Sequence, residues 1–301
     1  MTSHRATSPD GSSSLRHPAA PVATFVVSAI SLYAGAAIAV GLFDHVEPGG
    51  VAWLRSLFAA LILLAIARPW RQRWTRSDVG WAAAFGTVLV SMNACFYAAA
   101  DLLPLGTAVA IEFVGPVAFA ALATRTARNW AAIALAGFGV VLLAGIQLDG
   151  SARGVGFALA AALLWAGYIA LGHRVADRTV GLNGLAVGIA TGALVTSPVL
   201  APMATDVTED LRWLGAALGV GILSSAIPYA LDQWVLRRVS ADRFAVLLAI
   251  LPATATVIGL ISLGQVPSGP EAAGIALVTL GVALRETVST GSRRVPIPPS
   301  P

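Results

Sequence analysis

Apolar stretches about twenty residues long recur along the whole chain, separated by connections too short to fold on their own. A helix of that length spans the roughly 30 Å of hydrocarbon in a bilayer. In lipid only helices and closed barrels satisfy every backbone hydrogen bond internally. The runs place helices at about 22–42, 50–67, 79–100, 104–124, 129–147, 154–173, 181–203, 212–235, 243–264 and 270–288. Composition agrees: 57% of residues are apolar and only 11% charged, too little charge to cover a water-soluble surface. The sequence therefore predicts an all-α integral membrane protein of about ten transmembrane helices. The first apolar run is too long for a signal-peptide core and is read as an uncleaved first helix.

The arginines test that map, since the chain contains no lysine. With the N-terminus in the cytoplasm, Arg5, Arg16, Arg68, Arg71, Arg73, Arg76, Arg125, Arg128, Arg174, Arg178, Arg237, Arg238, Arg243, Arg285, Arg293 and Arg294 all fall on the cytoplasmic side, sixteen of nineteen basic residues. Only Arg55, Arg153 and Arg212 fall on or near the other side. This is the positive-inside bias, and adding or removing one helix would invert it in the later loops. Both termini are therefore expected in the cytoplasm. The tails, 1–20 and 290–301, are Ser-, Arg- and Pro-rich and read as disordered. Arginines spread through short loops make no concentrated basic patch, so nucleic acid is not an expected partner.

The stretch Asn93 to Pro116 echoes the stretch Ser225 to Pro252: a tyrosine late in one helix, a polar connection, then an apolar helix holding a proline. The copies lie five helices apart, and an odd offset inserts them in opposite orientations. Two inverted five-helix repeats, 21–148 and 149–289, follow as the expected domain organisation. Inverted repeats are the architecture of alternating-access carriers, with cargo bound near the midplane at the repeat interface.

Few residues can carry chemistry inside such a chain. Glu112 is the only charged residue between 104 and 124, near the middle of the fourth helix. An ionisable group at that depth costs about 2.5–3.5 kcal/mol to insert, which marks it as a functional-site candidate. It could carry a proton from one side to the other, or bind a substrate ammonium; a neutral structural acid is the alternative. Arg55 lies one turn inside the second helix. It could grip a carboxylate with two hydrogen bonds, pair with Glu112, or snorkel to the headgroups. Asn93 and Tyr97 share a face of the third helix, Trp165 and Tyr168 a face of the sixth, and Tyr229 follows Pro228 in the eighth. Aromatic walls with a few polar groups suit a small zwitterion, although Trp and Tyr also pack helices and anchor interfaces. Asp232 is one turn from Arg237, so a salt bridge near the headgroups is expected there. Pro116 and Pro252 occupy matched helices and can break them, and the pairs Gly188/Gly192 and Gly215/Gly219 have the spacing of close helix packing. A homodimer is left open.

The blocks GVAWLRSLFAALIL (50–63), RPWRQR (68–73), MNACFY (92–97), PLGTAVAIEFVGP (104–116), LWAGYIALGHR (164–174) and ILSSAIPYALD (222–232) occur in this order. With them the chain resembles the EamA branch of the drug/metabolite transporter superfamily, over nearly all of residues 25–285. Within that branch it is most similar to bacterial exporters of threonine and homoserine. The resemblance implies a ten-helix inner-membrane carrier that exports a small metabolite, driven by the proton gradient. The residues read above then form the expected substrate site, Glu112, Arg55, Asn93, Tyr97, Trp165, Tyr168 and Tyr229, with Glu112 as the proton-coupling group. The chain departs from the family pattern at Leu251 and Gln265, where an acid is common. A drug, a purine or another metabolite carried by the same fold is the competing reading. No phosphate-binding loop is present for ATP-driven pumping. The four histidines (His4, His17, His45, His173) and the single Cys95 form no catalytic or metal-ligating cluster, so neither an enzyme, a cofactor nor a metal is expected.

Overall fold

The computed structural model describes residues 19–284 apart from 181, 209, 237 and 240, and every regular element among them is helical. The expected tails lie almost wholly outside the described residues, as do Arg237 and the end of the last expected helix. Three long helices come first, α1 (Ala19–Leu42), α2 (Pro48–Ala67) and α3 (Arg76–Leu102). A broken fourth span follows, α4 (Leu105–Glu112) and α5 (Val114–Thr124). Then come α6 (Ala127–Ala176), α7 (Asn183–Leu200), α8 (Leu211–Gly221), α9 (Ile227–Leu236), α10 (Ala241–Leu248), α11 (Ile250–Leu263) and α12 (Gly269–Leu284). Nine helices among the described residues are long and apolar enough to cross a membrane. The tenth expected span is α12, with 16 described residues.

Local chemistry sets the ends. Proline at the start of α2 costs nothing, because the first turn of a helix has no use for that N–H. At α3 Thr75 and Asp78 cap each other's backbone N–H groups, at 3.0 and 3.1 Å. Ser268 and Glu271 do the same at α12. Asp210 caps α8 through the N–H of Arg212, and hydrogen bonds from the Arg212 side chain hold the Asp210 carboxyl below the usual carboxylate range. Two turns place Arg68 and Arg125 in the left-handed region, at φ 54° and 51°, where each closes the preceding helix through its own N–H.

The expected connection between the fifth and sixth spans is very short. Two helices lie within Ala127–Ala176 and meet at one non-helical residue, Ser151 (φ −154°, ψ 61°), which redirects the chain between them. The seventh span ends at Leu200 and passes into a 3-10 turn, Pro202–Thr208.

The molecule carries its apolar side chains outward. Leu163 is 75% exposed and Leu194 72%, while Arg55 and Glu112 are 4% and 7% exposed. That inversion fits lipid as the surrounding medium. Inside, small residues let backbones touch. A Cβ on Gly86 of α3 would run into the carbonyl of Gly188 in α7, and a Cβ on Gly192 would run into Gly86 itself. The Gly188/Gly192 pair thus packs as its spacing suggests. A Cβ on Gly215 or Gly219 would meet nothing within 4 Å, so that pair makes no close backbone packing among the described residues.

Candidate substrate cavity

Three prolines shape the centre. A proline lacks an N–H and its ring crowds the carbonyl four residues earlier. Pro116 lies three residues after Phe113, where ψ opens to −14° and α4 gives way to α5. Pro252 lies three residues after Ala249, where ψ is −16° and α10 gives way to α11. The fourth and ninth spans therefore break at corresponding places, with Glu112 at the break in one and Leu248 at the break in the other. The third proline, Pro228, follows a π-helical turn, Ile222–Ala226. Its missing N–H would have served Ser224 in an α-helix or Leu223 in a π-helix. Both carbonyls are taken by side chains instead: Ser31 donates to Leu223 O at 2.8 Å, and Arg55 Nη2 donates to Ser224 O at 2.7 Å.

Arg55 is thereby fixed. Its Nε donates to Ser225 Oγ at 2.8 Å and its Nη1 to Tyr97 Oη at 3.4 Å, and the guanidinium lies 5.4 Å from the centre of the Tyr97 ring. A guanidinium has five N–H groups. Three go to these partners, and the two that remain are on the terminal nitrogens. Arg55 neither snorkels outward nor forms an ion pair with Glu112 within 4.0 Å; its place is set by the second half of the chain, about 170 residues away.

A cavity of about 310 Å³ opens beside these groups. That is at the small end of ligand cavities. Arg55, Asn93, Glu112, Trp165, Tyr168 and Tyr229 all line it. Tyr97, in contrast, lies behind Arg55, 1% exposed and packed on Phe43 and Phe96, so it holds the arginine rather than facing the cavity. Trp165 meets Phe113 edge-on at 4.6 Å, and Tyr168 stacks on Phe85 at 4.8 Å. The walls are therefore braced from behind. Among the described residues no hydrogen bond or ion pair reaches the Glu112 carboxyl. A buried carboxyl without a partner is costly and is therefore available to a proton or a cation.

Two polar lining residues, Tyr33 and Asp232, were not among the expected site residues. Tyr33 of α1 lies within electrostatic reach of both Glu112 and Asp232. Asp232 lines the cavity itself and accepts from Ser28 Oγ at 2.7 Å. The expected Asp232–Arg237 salt bridge lies outside the described residues. The signal for Asp232 was present as spacing: Pro228, Tyr229 and Asp232 fall at i, i+1 and i+4 on a helix, hence on one side. Leu251 also lines the cavity, and Gln265 lies at its edge of the fold, accepting the N–H of Leu105 at the start of α4 at 2.9 Å. No group of three or more potential metal ligands occurs among the described residues.

The family model of the EamA-like transporter family matches residues 152–285. Beyond that stretch, the chain is 35% identical over 248 residues to the threonine/homoserine exporter RhtA of Escherichia coli K12, covering 81% of this chain and 84% of that one. It is 34% identical over 252 residues to the protein of the same name from Salmonella typhimurium LT2, covering 83% and 85%. A solved crystal structure superposes with a TM-score of 0.59 at 21% identity, covering 87% of this chain and 96% of the other, and so shares its fold.

Proposed function

Since the chain belongs to the EamA-like transporter family, and is a multi-pass membrane exporter of a small molecule rather than an enzyme, we propose that it exports a small amino acid such as threonine or homoserine across the bacterial inner membrane by proton antiport. One observation carries the reading: a carboxyl, Glu112, buried in the wall of an amino-acid-sized cavity without any bonding partner among the described residues. Arg55 stands in the same wall with two N–H groups to offer a carboxylate. Protonation of Glu112 from the periplasmic side and release to the cytoplasm would drive one direction of the cycle, and cargo would occupy the other. The curated relatives' names supply the cargo class.

Two inverted halves, 21–148 and 149–289, give such a cycle its two access states. The matching breaks at Phe113 and Ala249 support that division, and the single turn at Ser151 falls near the boundary. The arginine distribution supports a cytoplasmic position for both termini.

Inside-out vesicles with an imposed proton gradient test the reading. Labelled threonine and homoserine should accumulate in vesicles carrying the wild-type protein. Glu112→Gln, inserted at normal levels, should lose the gradient-driven part. Wild-type rates in that variant would remove Glu112 from coupling. No uptake of either compound by the wild type would remove the amino-acid cargo.

A further inference from the structure

We propose that Asp232, held by Ser28, is the cargo's ammonium site, so that an amino acid lies between Arg55 and Asp232 and leaves Glu112 to the proton. This assignment rests on the amino-acid reading above and divides its roles.

The geometry starts from helix 1 and the eighth span, which run side by side. Near one level Ser224 Oγ donates to Leu32 O at 2.9 Å, and the same Ser224 carbonyl holds Arg55. A Cβ on Gly35 would collide with Ser224, so the two helices are in close contact at that level. Further along the pair, Ser28 Oγ donates to Asp232 at 2.7 Å. Four residues of α1 separate the two levels, and eight residues of the eighth span. At 1.5 Å per residue these are roughly 6 Å along α1 and 12 Å along the eighth span, so Asp232 lies about one to two helical turns from the level of the Arg55 anchor. A bound α-amino acid needs about 3 Å between its carboxylate oxygen and its nitrogen. Adding a hydrogen bond of about 2.9 Å at each end gives roughly 9 Å, a separation of the same order.

The chemistry at Asp232 fits as well. A carboxylate can accept about four hydrogen bonds, and Ser28 supplies one. Tyr229, one turn back on the same helix, and Tyr168 line the same cavity, and aromatic rings suit a cation. Phe244 and Leu248 close the same wall. Both ends of the cargo are then read by one helix, through Arg55 on the π turn and directly through Asp232. Glu112, on the fourth span of the same cavity, is left to carry the proton.

The test uses the purified full-length protein in detergent micelles and the fluorescence of Trp165, which faces the cavity, checked by loss of the signal in Trp165→Phe. The probes are L-threonine and its analogue with a hydroxyl in place of the amino group. The wild type should bind threonine and discriminate against the analogue. Asp232→Asn, which keeps the Ser28 contact, should lose that discrimination by about tenfold or more. Asp232→Glu should restore part of it, and Glu112→Gln should leave it intact while abolishing gradient-driven uptake in vesicles. Full discrimination in Asp232→Asn, or its loss in Glu112→Gln, would overturn the assignment while leaving the amino-acid reading in place. A wild type that binds neither compound would overturn both.

Discussion

At the scale of single residues, the candidate site is a set of polar groups that lipid would otherwise exclude, and the sequence shows them in proportion to their oddity. Glu112 and Arg55 stand out because each is a lone charge in an apolar run. What Arg55 does was not legible. Its partners, Ser224 and Ser225, are ordinary residues far along the chain, and nothing local announces that Pro228 has left Ser224 a carbonyl to share. The consequence is testable. Arg55→Lys keeps the charge but loses the planar fork that serves the helix and the cargo together. Transport KM for threonine should rise at least about tenfold, with maximal rate less affected. Arg55→Ala should also lower thermal stability, by about 1–3 kcal/mol for each buried acceptor left unserved. An unchanged KM in Arg55→Lys would show that cargo does not touch this guanidinium.

At the scale of elements, helix existence was legible nearly everywhere because lipid demands long apolar runs, and nearly all boundaries fell within a few residues. The breaks were legible only through proline. Pro116, Pro228 and Pro252 each mark an interruption, but whether the turn before them opens as a bend or widens into a π turn is decided by what neighbouring helices offer the freed carbonyls. Ser31 and Arg55 decide it in the eighth span. Pro228→Ala restores an N–H four residues after Ser224, so the π turn should tighten toward α-helix and compete with Arg55 for that carbonyl. Faster exchange of the amides around Ile222–Ala226 is not expected; a protected amide at residue 228, where the wild type has none, and weaker threonine binding are. Hydrogen-exchange mass spectrometry in micelles reads the first and the Trp165 fluorescence the second. Ser151, by contrast, carries no sequence signal that separates a kink from a loop, and a single φ/ψ change was enough to make the expected connection.

At the scale of the whole molecule, α3 and α7 meet where Gly86 faces Gly188 and Gly192 with backbone against backbone. Gly86→Val should abolish correct assembly, seen as loss of a monodisperse peak on fluorescence-detected size exclusion, whereas Gly215→Val, with open space around it, should not. Reporter fusions active only in the cytoplasm should be active at both ends of the chain; activity at one end alone would contradict the ten-span topology. The glycine contact has a mechanical meaning too. Two rods that touch without side chains between them can roll on each other but have no compliant layer in which to slide. If one half rocks on the other, the fulcrum lies at this seam, where displacement is least.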